Sequence, residues 1–388
     1  MITTLLIGIL APLVLGPALL LISPKLKSNL GWLALFIPLI SILAIVKVGL
    51  SVYSNHVINA MTLSMDWVPS LGINFSFLVD GVSLFFGLVV SIMGLLVVLY
   101  SKYYLHETVQ DNGRFYCYLM LFMSAMLGTV FANNLIVLLV FWEFTGITSF
   151  LLIGFSHEKK DSRRGALMAF ITTGFTGLLL LAGLILLTIL FETSDFSKIV
   201  SLIGNNSLAT IFSASQLPYL KAAMALILIG AFGKSAQFPF QYWLPNAMAA
   251  PTPVSAYLHS AAMVKLGIFL TVRMYPVFKT LSGWNETLLW VGFITMTIGG
   301  IFSFLSNDLK GILAYTTVSQ LGFLIGFYGL GTLGLEHDFF QILNHVFYKG
   351  SLFMVAGIII HSIGTKDIRK IGGLASVMPL TAITATIA

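Results

Sequence analysis

Seven ionisable side chains lie inside long apolar stretches of this sequence, at positions where leucine or valine would be expected. They are Glu143, Lys234, His259, Lys265, Lys310, His345 and Lys349. Each of these side chains can take up and release a proton, and burial beside other charges can bring that exchange close to neutral pH. A series of such groups across several helices predicts a proton relay, in which each member can change its charge.

The elements that hold these residues are predicted to be transmembrane helices. Of the 388 residues, 58% are hydrophobic and only 9% are charged, and the mean hydropathy is +0.98. A soluble domain carries about 25% charged residues, so this chain has too few to cover a water-facing surface. The single cysteine, Cys117, excludes an internal disulfide and a multi-cysteine metal site. The composition therefore predicts an all-α polytopic membrane protein.

Apolar runs of about 20 residues, each long enough to cross a hydrocarbon core roughly 30 Å thick, recur along the whole chain. They predict eleven spans and the start of a twelfth near Ala375, and therefore 11 to 12 transmembrane helices. The spans are 2–22, 30–53, 79–104, 115–132, 134–155, 165–191, 217–240, 250–273, 287–306, 309–330 and 338–362. Between the second and third spans, Met65 to Phe77 alternates apolar and polar residues, which predicts a small extracytoplasmic hairpin.

Basic residues are concentrated in alternate loops, namely those after spans one, three, five and eleven. These residues are Lys25, Lys27, Lys102, Arg114, Lys159, Lys160, Arg163, Arg164, Lys366, Arg369 and Lys370. The loops after spans two, four and ten carry none, and those after spans six and eight carry mainly Lys198, Arg273 and Lys279. Because cytoplasmic loops are enriched in lysine and arginine, the amino terminus is predicted to lie outside. The same bias accounts for the net charge of +6, so no nucleic-acid partner is needed.

A charge at the bilayer centre costs about 2.5–3.5 kcal/mol even on a lenient insertion scale, so each buried charge needs a reason. Some of the seven residues have a structural alternative to a relay. Lys310, near the start of its span, can be an interfacial lysine that reaches the lipid headgroups. His259 and His345 can be hydrogen-bonded core histidines, and Glu143 with Lys234 can be a static ion pair.

The stretch GAFGKSAQFPF, residues 230 to 240, is predicted to interrupt its helix. Gly230, Gly233 and Pro239 flank Lys234, and proline and glycine both weaken a helix interior. Transporters place ion sites at broken helices, because unwound carbonyls and internal water can solvate a charge there. Lys234 is therefore positioned to hold a proton that moves.

Three motifs resemble one family of membrane proteins. They are GKSAQFPFQYWLPNAMAAPTPVSAYLHSAAMVK (233–265), SNDLKGILAYTTVSQLG (306–322) and HVFYKGSLFMVAG (345–357). The chain resembles the antiporter-like membrane subunits over essentially its whole length. These comprise the large subunits of Mrp-type Na+/H+ antiporters and the L, M and N-type proton-pumping subunits of respiratory complex I. FWEFTGITSFLLIGF around Glu143, and MVK ending at Lys265, are most similar to the A subunit of Mrp antiporters.

The resemblance implies roles for individual residues. Glu143 and Lys234 would approach within ion-pair reach across spans five and seven and couple proton movement. The other members would relay protons along a polar axis at the membrane midplane; they are His259, Lys265, Lys310, His345 and Lys349.

The resemblance also implies an internal organisation into repeats. N-terminal helices in 1–114 would precede two inverted five-helix repeats, at 115–273 and 287–388, each with one broken helix. The second repeat is incomplete, because the chain stops at Ala388 before the broken helix of that repeat. The resemblance therefore implies a fragment of a longer subunit.

Three functions remain open on these observations. The first is a subunit of a multisubunit antiporter in a bacterial cytoplasmic membrane, which exchanges cytoplasmic Na+ for external H+ together with other subunits. The second is a pump subunit of complex I or of a related hydrogenase, and the third is a scaffold that transports nothing. No pattern indicates a redox centre, a quinone site or another cofactor, so an enzyme is not expected. Carboxylates near the midplane are limited to Glu143 and, at the edge of the third span, Asp80, and no sodium site is evident.

Overall fold

Apolar helices long enough to span a membrane make up most of the structure, a computed structural model of the chain. It describes residues 1–26, 29–54, 61–68, 73–105, 112–204 and 206–388. Within these ranges, eleven helical segments are long and apolar enough to cross a membrane. This confirms the predicted number of spans and the all-α polytopic class. Lys27, one of the basic residues of the first predicted loop, lies outside the described residues.

The first six long helices follow the predicted spans within a few residues. They are α1 (Ile2–Leu26), α2 (Leu30–Ser54), α3 (Gly81–Tyr104), α4 (Asn112–Phe131), α5 (Leu135–Ile153) and α6 (Lys160–Phe191). Two short helices follow in the next connection, α7 (Phe196–Ile203) and α8 (Leu208–Ile211). They lead to α9, which spans Leu217–Lys234.

A β-hairpin precedes α3 and sets where that helix begins. Strands β1 (Met61–Val68) and β2 (Ile73–Val79) pair antiparallel, which confirms the hairpin predicted at Met65 to Phe77 and extends it in both directions. Asp80 follows β2 and caps α3, because its carboxylate accepts a hydrogen bond of 2.8 Å from the Ser83 backbone N–H. A side-chain cap of this kind satisfies an amide that the helix itself leaves unpaired.

Two interruptions divide the chain between α9 and α13 (Trp284–Leu305). The first begins at Lys234, the last residue of α9, and confirms the predicted break there. Beyond it the segments are α10 (Trp243–Asn246), a 3-10 turn (Ala247–Ala249), α11 (Thr252–Ala256), a π-helix (Tyr257–Ala261) and α12 (Lys265–Phe278).

The span predicted at 250–273 is confirmed as Thr252–Phe278, but its helix is interrupted. The Ala262 N–H bonds to the Tyr257 carbonyl five residues back, at 3.1 Å, so the helix widens before α12 restarts at Lys265. A π-turn inserts one extra residue into a helix, rotates the side chains on either side of it and occurs frequently at functional sites. This interruption therefore sets the relative directions of His259 and Lys265.

The remaining elements are α14 (Leu309–Tyr328), α15 (Thr332–Ile363), a 3-10 turn (Ile368–Lys370), α16 (Leu374–Val377) and α17 (Pro379–Ile387). The last two helices confirm that a further apolar segment begins near Ala375. Helices α13 and α14 pack with their backbones almost in contact, since a Cβ atom at Gly292 would lie 2.2 Å from the Gly326 nitrogen. Small residues allow membrane helices to approach this closely.

An ion pair joins three helices at the hairpin end of the bundle. Arg273 was predicted in the loop after span eight, but α12 continues to Phe278, so Arg273 is 3% exposed and pairs with Asp80. Its guanidinium also donates to the Val130 carbonyl at the end of α4. Partial burial by itself would raise the pKa of Asp80, but the Arg273 guanidinium holds that pKa below its ordinary value. Asp80 therefore joins the start of α3 to α12 through an ion pair.

Candidate proton relay

Lys234 lies at the broken end of α9 and is fully buried. Its ammonium group donates a hydrogen bond of 2.9 Å to the Thr145 hydroxyl on α5, and that hydroxyl in turn donates to the Trp142 carbonyl at 2.6 Å. The last carbonyls of a helix have no helical partner and favour a positive charge. One of them, at Gly233, accepts from the Trp243 indole at 2.9 Å. The helix end thus provides a polar socket for Lys234.

The predicted Glu143–Lys234 contact is wrong in this conformation: these two described residues form no ion pair within 4.0 Å, although they interact electrostatically. The Glu143 carboxylate points at α6 instead, where a Cβ atom at Gly177 would lie 1.9 Å from its Oε1. The reason is the helical period of about 100° per residue. Trp142 and Thr145, three residues apart, share the face toward Lys234, and Glu143 lies on the flank beside them.

The Glu143 carboxylate has unused hydrogen-bonding capacity. Its buried Oε1 has no hydrogen-bond partner among the described residues, and the same holds for the Thr173 hydroxyl on α6. Thr173 is also close to the Lys234 socket, since a Cβ atom built at Gly146 would lie 3.4 Å from Lys234 Nζ and 3.9 Å from Thr173 Oγ1. Buried oxygens without a hydrogen-bond partner cost free energy, so a proton or a water molecule bound beside the Glu143 carboxylate and the Thr173 hydroxyl would stabilise the structure.

His259 lies in the π-helix and is fully buried. Neither of its ring nitrogens has a hydrogen-bond partner in the part of the chain that the structure describes. The ring is 6.1 Å, centroid to centroid, from the Trp243 indole that caps α9. A satisfied core histidine, the structural alternative for this residue, would have such a partner.

Among the seven candidate relay residues, Lys265 and His345 are in direct contact. Lys265 Nζ lies 2.7 Å from His345 Nδ1, and both side chains are fully buried. A charged Lys265 donates to Nδ1 and leaves the ring proton on Nε2, whereas a neutral Lys265 can accept a proton from Nδ1–H. The same arrangement of Lys265 and His345 is therefore compatible with the state before and the state after a proton passes between them. His345 Nε2 has no partner within the described ranges.

Lys349 and Lys310 are also held by polar groups inside the protein. Lys349, one helical turn after His345, donates to the Thr316 hydroxyl of α14 at 2.6 Å. Lys310 donates to the Ala250 carbonyl at 3.0 Å and is 9% exposed, which favours a buried role over the interfacial alternative. Ala250 lies two residues before α11, so this hydrogen bond connects α14 to the interrupted region.

The structure thus places five of the seven residues in two groups. Glu143 and Lys234 lie among α5, α6 and α9, whereas Lys265, His345 and Lys349 lie among α12, α14 and α15. His259 and Lys310, which interact electrostatically with each other, lie on the elements between these groups.

The residues that hydrogen-bond the buried lysines were not identified from the sequence. Thr145 and Thr316 each accept a hydrogen bond from a buried lysine. Thr145 was detectable in principle, since it lies on the same predicted helix as Glu143. Asp338 was also missed; it is a fully buried carboxylate on α15, seven residues before His345.

The chain matches known proteins along most of its length. Residues 132–388, about two thirds of the chain, match the family described as NADH:quinone oxidoreductase/Mrp antiporter, TM. Residues 65–116 match the family described as NADH-Ubiquinone oxidoreductase (complex I), chain 5 N-terminus.

Individual relatives agree with the family match. A protein named Na(+)/H(+) antiporter subunit A1, from Staphylococcus aureus, is 44% identical over 369 residues, which is 92% of this chain and 45% of that protein. The chain therefore spans about half the length of this curated relative.

Solved structures show the same fold. A chain in the structure of the Mrp complex from a Dietzia species is 34% identical, has a TM-score of 0.85, and aligns over 98% of this chain and 40% of that one. A chain of an archaeal membrane-bound sulfane sulfur reductase has a TM-score of 0.87 at 23% identity, over 99% of this chain and 77% of its own, and shares the fold. With eleven candidate spans, a broken helix at Lys234 and these matches, the chain belongs to the NADH:quinone oxidoreductase/Mrp antiporter transmembrane family.

Proposed function

We propose that this chain is the proton-translocating part of a multisubunit Na+/H+ antiporter. Protons move along the buried Glu, Lys and His residues, and their movement is coupled to Na+ efflux. The observation that carries this proposal is the Lys265–His345 contact, a buried amine and imidazole 2.7 Å apart that can exchange a proton. Similarity to a protein named as a Na(+)/H(+) antiporter subunit supports the choice of ion.

The coupling is electrostatic in this proposal. Lys265, His345 and Lys349 interact through their charges, so a proton on one group disfavours a proton on the next. The arrival of a proton at one end therefore promotes release at the other. In this proposal the transported ions leave the protein chemically unchanged, so we infer a transporter subunit rather than an enzyme.

A redox-driven pump subunit is the alternative, because the matching family also covers NADH:quinone oxidoreductase. The relay would be the same, but oxidation and reduction in other subunits would drive it. A scaffold role fits the buried charges less well, since His259 and His345 retain unpartnered ring nitrogens within the described residues.

The antiport proposal is tested in inside-out membrane vesicles from bacteria that lack their own antiporters. The vesicles carry the complete assembly, with the full-length subunit that contains this chain, and respiration establishes a pH gradient reported by a fluorescent amine. Addition of NaCl should dissipate the gradient, whereas vesicles whose assembly lacks this subunit should keep it. The proposal is wrong if Na+ has no effect and purified assembly in liposomes instead acidifies them on addition of an electron donor.

We infer that the chain crosses a bacterial cytoplasmic membrane with its amino terminus outside. It would pack against lipid and other subunits of the complex, to which it presents exposed apolar side chains such as Trp290 and Phe304. The division into 1–114, 115–273 and 287–388, with inverted repeats in the last two, is part of this proposal.

Cysteine labelling tests the orientation. Lys160, at the start of α6, and Asp66, in β1, are both exposed, and the buried native Cys117 can be replaced by alanine. Lys160→Cys should react with an impermeant maleimide only from the cytoplasmic side, and Asp66→Cys only from outside. Reaction of both cysteines from the same side would contradict the orientation and the span count between them.

A further inference from the structure

Asp338 is a buried carboxylate that the relay described above does not use. Its side chain is fully buried, and neither carboxylate oxygen meets a hydrogen-bond partner in the described part of the chain. The Tyr328 hydroxyl at the end of α14 faces it, but the two groups make no hydrogen bond of normal geometry in this conformation. An ionised carboxylate that stays buried without a partner costs several kcal/mol. A proton bound to Asp338 would remove this cost.

Asp338 shares a helix face with the histidine of the relay. It precedes His345 by seven residues, or two turns of α15, which is a rise of about 10 Å. Ile342, between them on this face, is fully buried. Helical side chains lean toward the amino terminus of their helix, so the His345 ring leans toward Asp338. The ring nitrogen that is not in contact with Lys265, Nε2, makes no hydrogen bond of normal geometry among the described residues, although the Ser260 backbone lies close enough to interact with the ring.

Aromatic contacts fix the depth of Asp338 in the bundle. The neighbouring Phe339 packs edge-on against Phe85 and Phe86, at 4.9 and 6.4 Å between ring centroids. Those two phenylalanines lie in the first turns of α3, directly after the hairpin. Asp338 therefore lies between the Lys265–His345 pair and the hairpin end of the molecule.

The geometry points to Asp338 as a further proton carrier, which connects His345 with the hairpin side of the membrane. This inference rests on the proposed function. Lys265 transfers a proton to His345 Nδ1 while Nε2 releases its own proton, through water, to the Asp338 carboxylate. One Nζ–H and one Nε2–H bond break, while one Nδ1–H and one O–H bond form. The imidazole stays neutral and ends as the other tautomer, and Asp338 becomes a carboxylic acid that can release its proton toward the hairpin side.

Two variants test the carrier role in the complete assembly. Asp338→Asn keeps the shape of the side chain but cannot bind a proton, and should lower Na+-driven dissipation of the pH gradient at least tenfold at normal subunit content. Asp338→Glu should restore part of the activity. Asp66→Asn, which removes an exposed carboxylate of the hairpin, is the matched control and should leave the rate unchanged. Wild-type rates in Asp338→Asn, in an assay where Lys265→Met is inactive, would overturn this inference and leave the antiporter proposal intact.

A chemical probe tests Asp338 without any transport measurement. Dicyclohexylcarbodiimide adds the O–H of a protonated carboxyl across one of its C=N bonds, and the adduct rearranges to a stable N-acylurea. Site-resolved mass spectrometry of the labelled assembly should find this adduct on Asp338 and lose it in Asp338→Asn. An assembly that shows no antiport but labels at Asp338 would reject the proposed function alone. Absence of the adduct would overturn the protonated state on which this inference depends.

Discussion

Replacement of Glu143 by glutamine should abolish Na+-dependent dissipation of the pH gradient while the complex still assembles. Glutamine keeps the size of the side chain but can neither bind a transported proton nor present a charge to Lys234. Positioned proton-transfer groups typically contribute a factor of about 100 or more to rate, so the residual activity should be near background. Transport in inside-out vesicles and subunit content on immunoblots are the two measurements. Lys234→Ala should give the same result.

The stability of these variants should change much less than their transport. Removal of one partner of a buried ion pair costs about 3–5 kcal/mol when the other stays charged. In Glu143→Gln, Lys234 keeps its hydrogen bond to Thr145, and in both variants no close ion pair is broken, so near-normal assembly is expected. Glu143→Asp should retain part of the activity, and Glu158→Gln, at an exposed carboxylate in the next loop, should have no effect.

Substitutions at two glycines of α6 test the effect of the position of the Glu143 carboxylate separately from the effect of its charge. In Gly177→Ala, the new Cβ would lie 1.9 Å from Glu143 Oε1, so the flexible end of Glu143 must move while the helix stays in place. Gly174→Ala, one turn earlier, meets nothing within 4 Å and is the matched control. Gly177→Ala should slow transport and Gly174→Ala should not. Wild-type exchange in both Glu143→Gln and Gly177→Ala would show that Glu143 has only a structural role.

Lys265→Met should be as inactive as the Glu143 variant. Methionine fills the space of the lysine stem with an adaptable apolar chain, so packing around α12 is preserved. His345 Nδ1 loses its partner, at a cost of about 1–3 kcal/mol, which leaves the assembled complex detectable. Transport should be lost because His345 Nδ1 no longer faces an amine that can give it a proton. Lys221→Met, at an exposed lysine of α9, provides the control.

A second substitution at this position distinguishes a relay from a fixed charge. Lys265→Arg retains the positive charge, but a guanidinium does not release its proton in a protein. If Lys265 passes protons to His345, the arginine variant should fail like the methionine variant, at normal subunit content. Recovery of wild-type transport with arginine would mean that only the charge of Lys265 matters, and would contradict the transfer step.

The sequence by itself determined the membrane class, the number of spans and the buried charged residues from which the relay is proposed. Runs of apolar residues must become helices in a membrane, because every backbone amide there needs a partner within its own segment. The break at Lys234 was readable for the same local reason, since Gly233 and Pro239 weaken the helix on both sides. The hairpin before α3 was readable from its alternation.

Only the tertiary structure decided which charged groups meet. Thr145 accepts a hydrogen bond from Lys234, whereas the Glu143 carboxylate points toward Gly177. Spacing along α5 could not show this, because it depends on how α6 and α9 pack against that helix. Arg273 was misassigned because α12 continues beyond it to Phe278, whereas the apolar run of the sequence ends near residue 273.

Asp338 shows the same limit. It is the first residue of the span predicted at 338–362, and its burial depends on how α15 packs against α3, which is distant in sequence, and against the end of α14. Local composition determines whether a segment enters the membrane. The partner of a buried charge is determined by packing among helices, because hydrogen bonds and ion pairs act over a few ångströms between segments that the chain separates by tens to hundreds of residues.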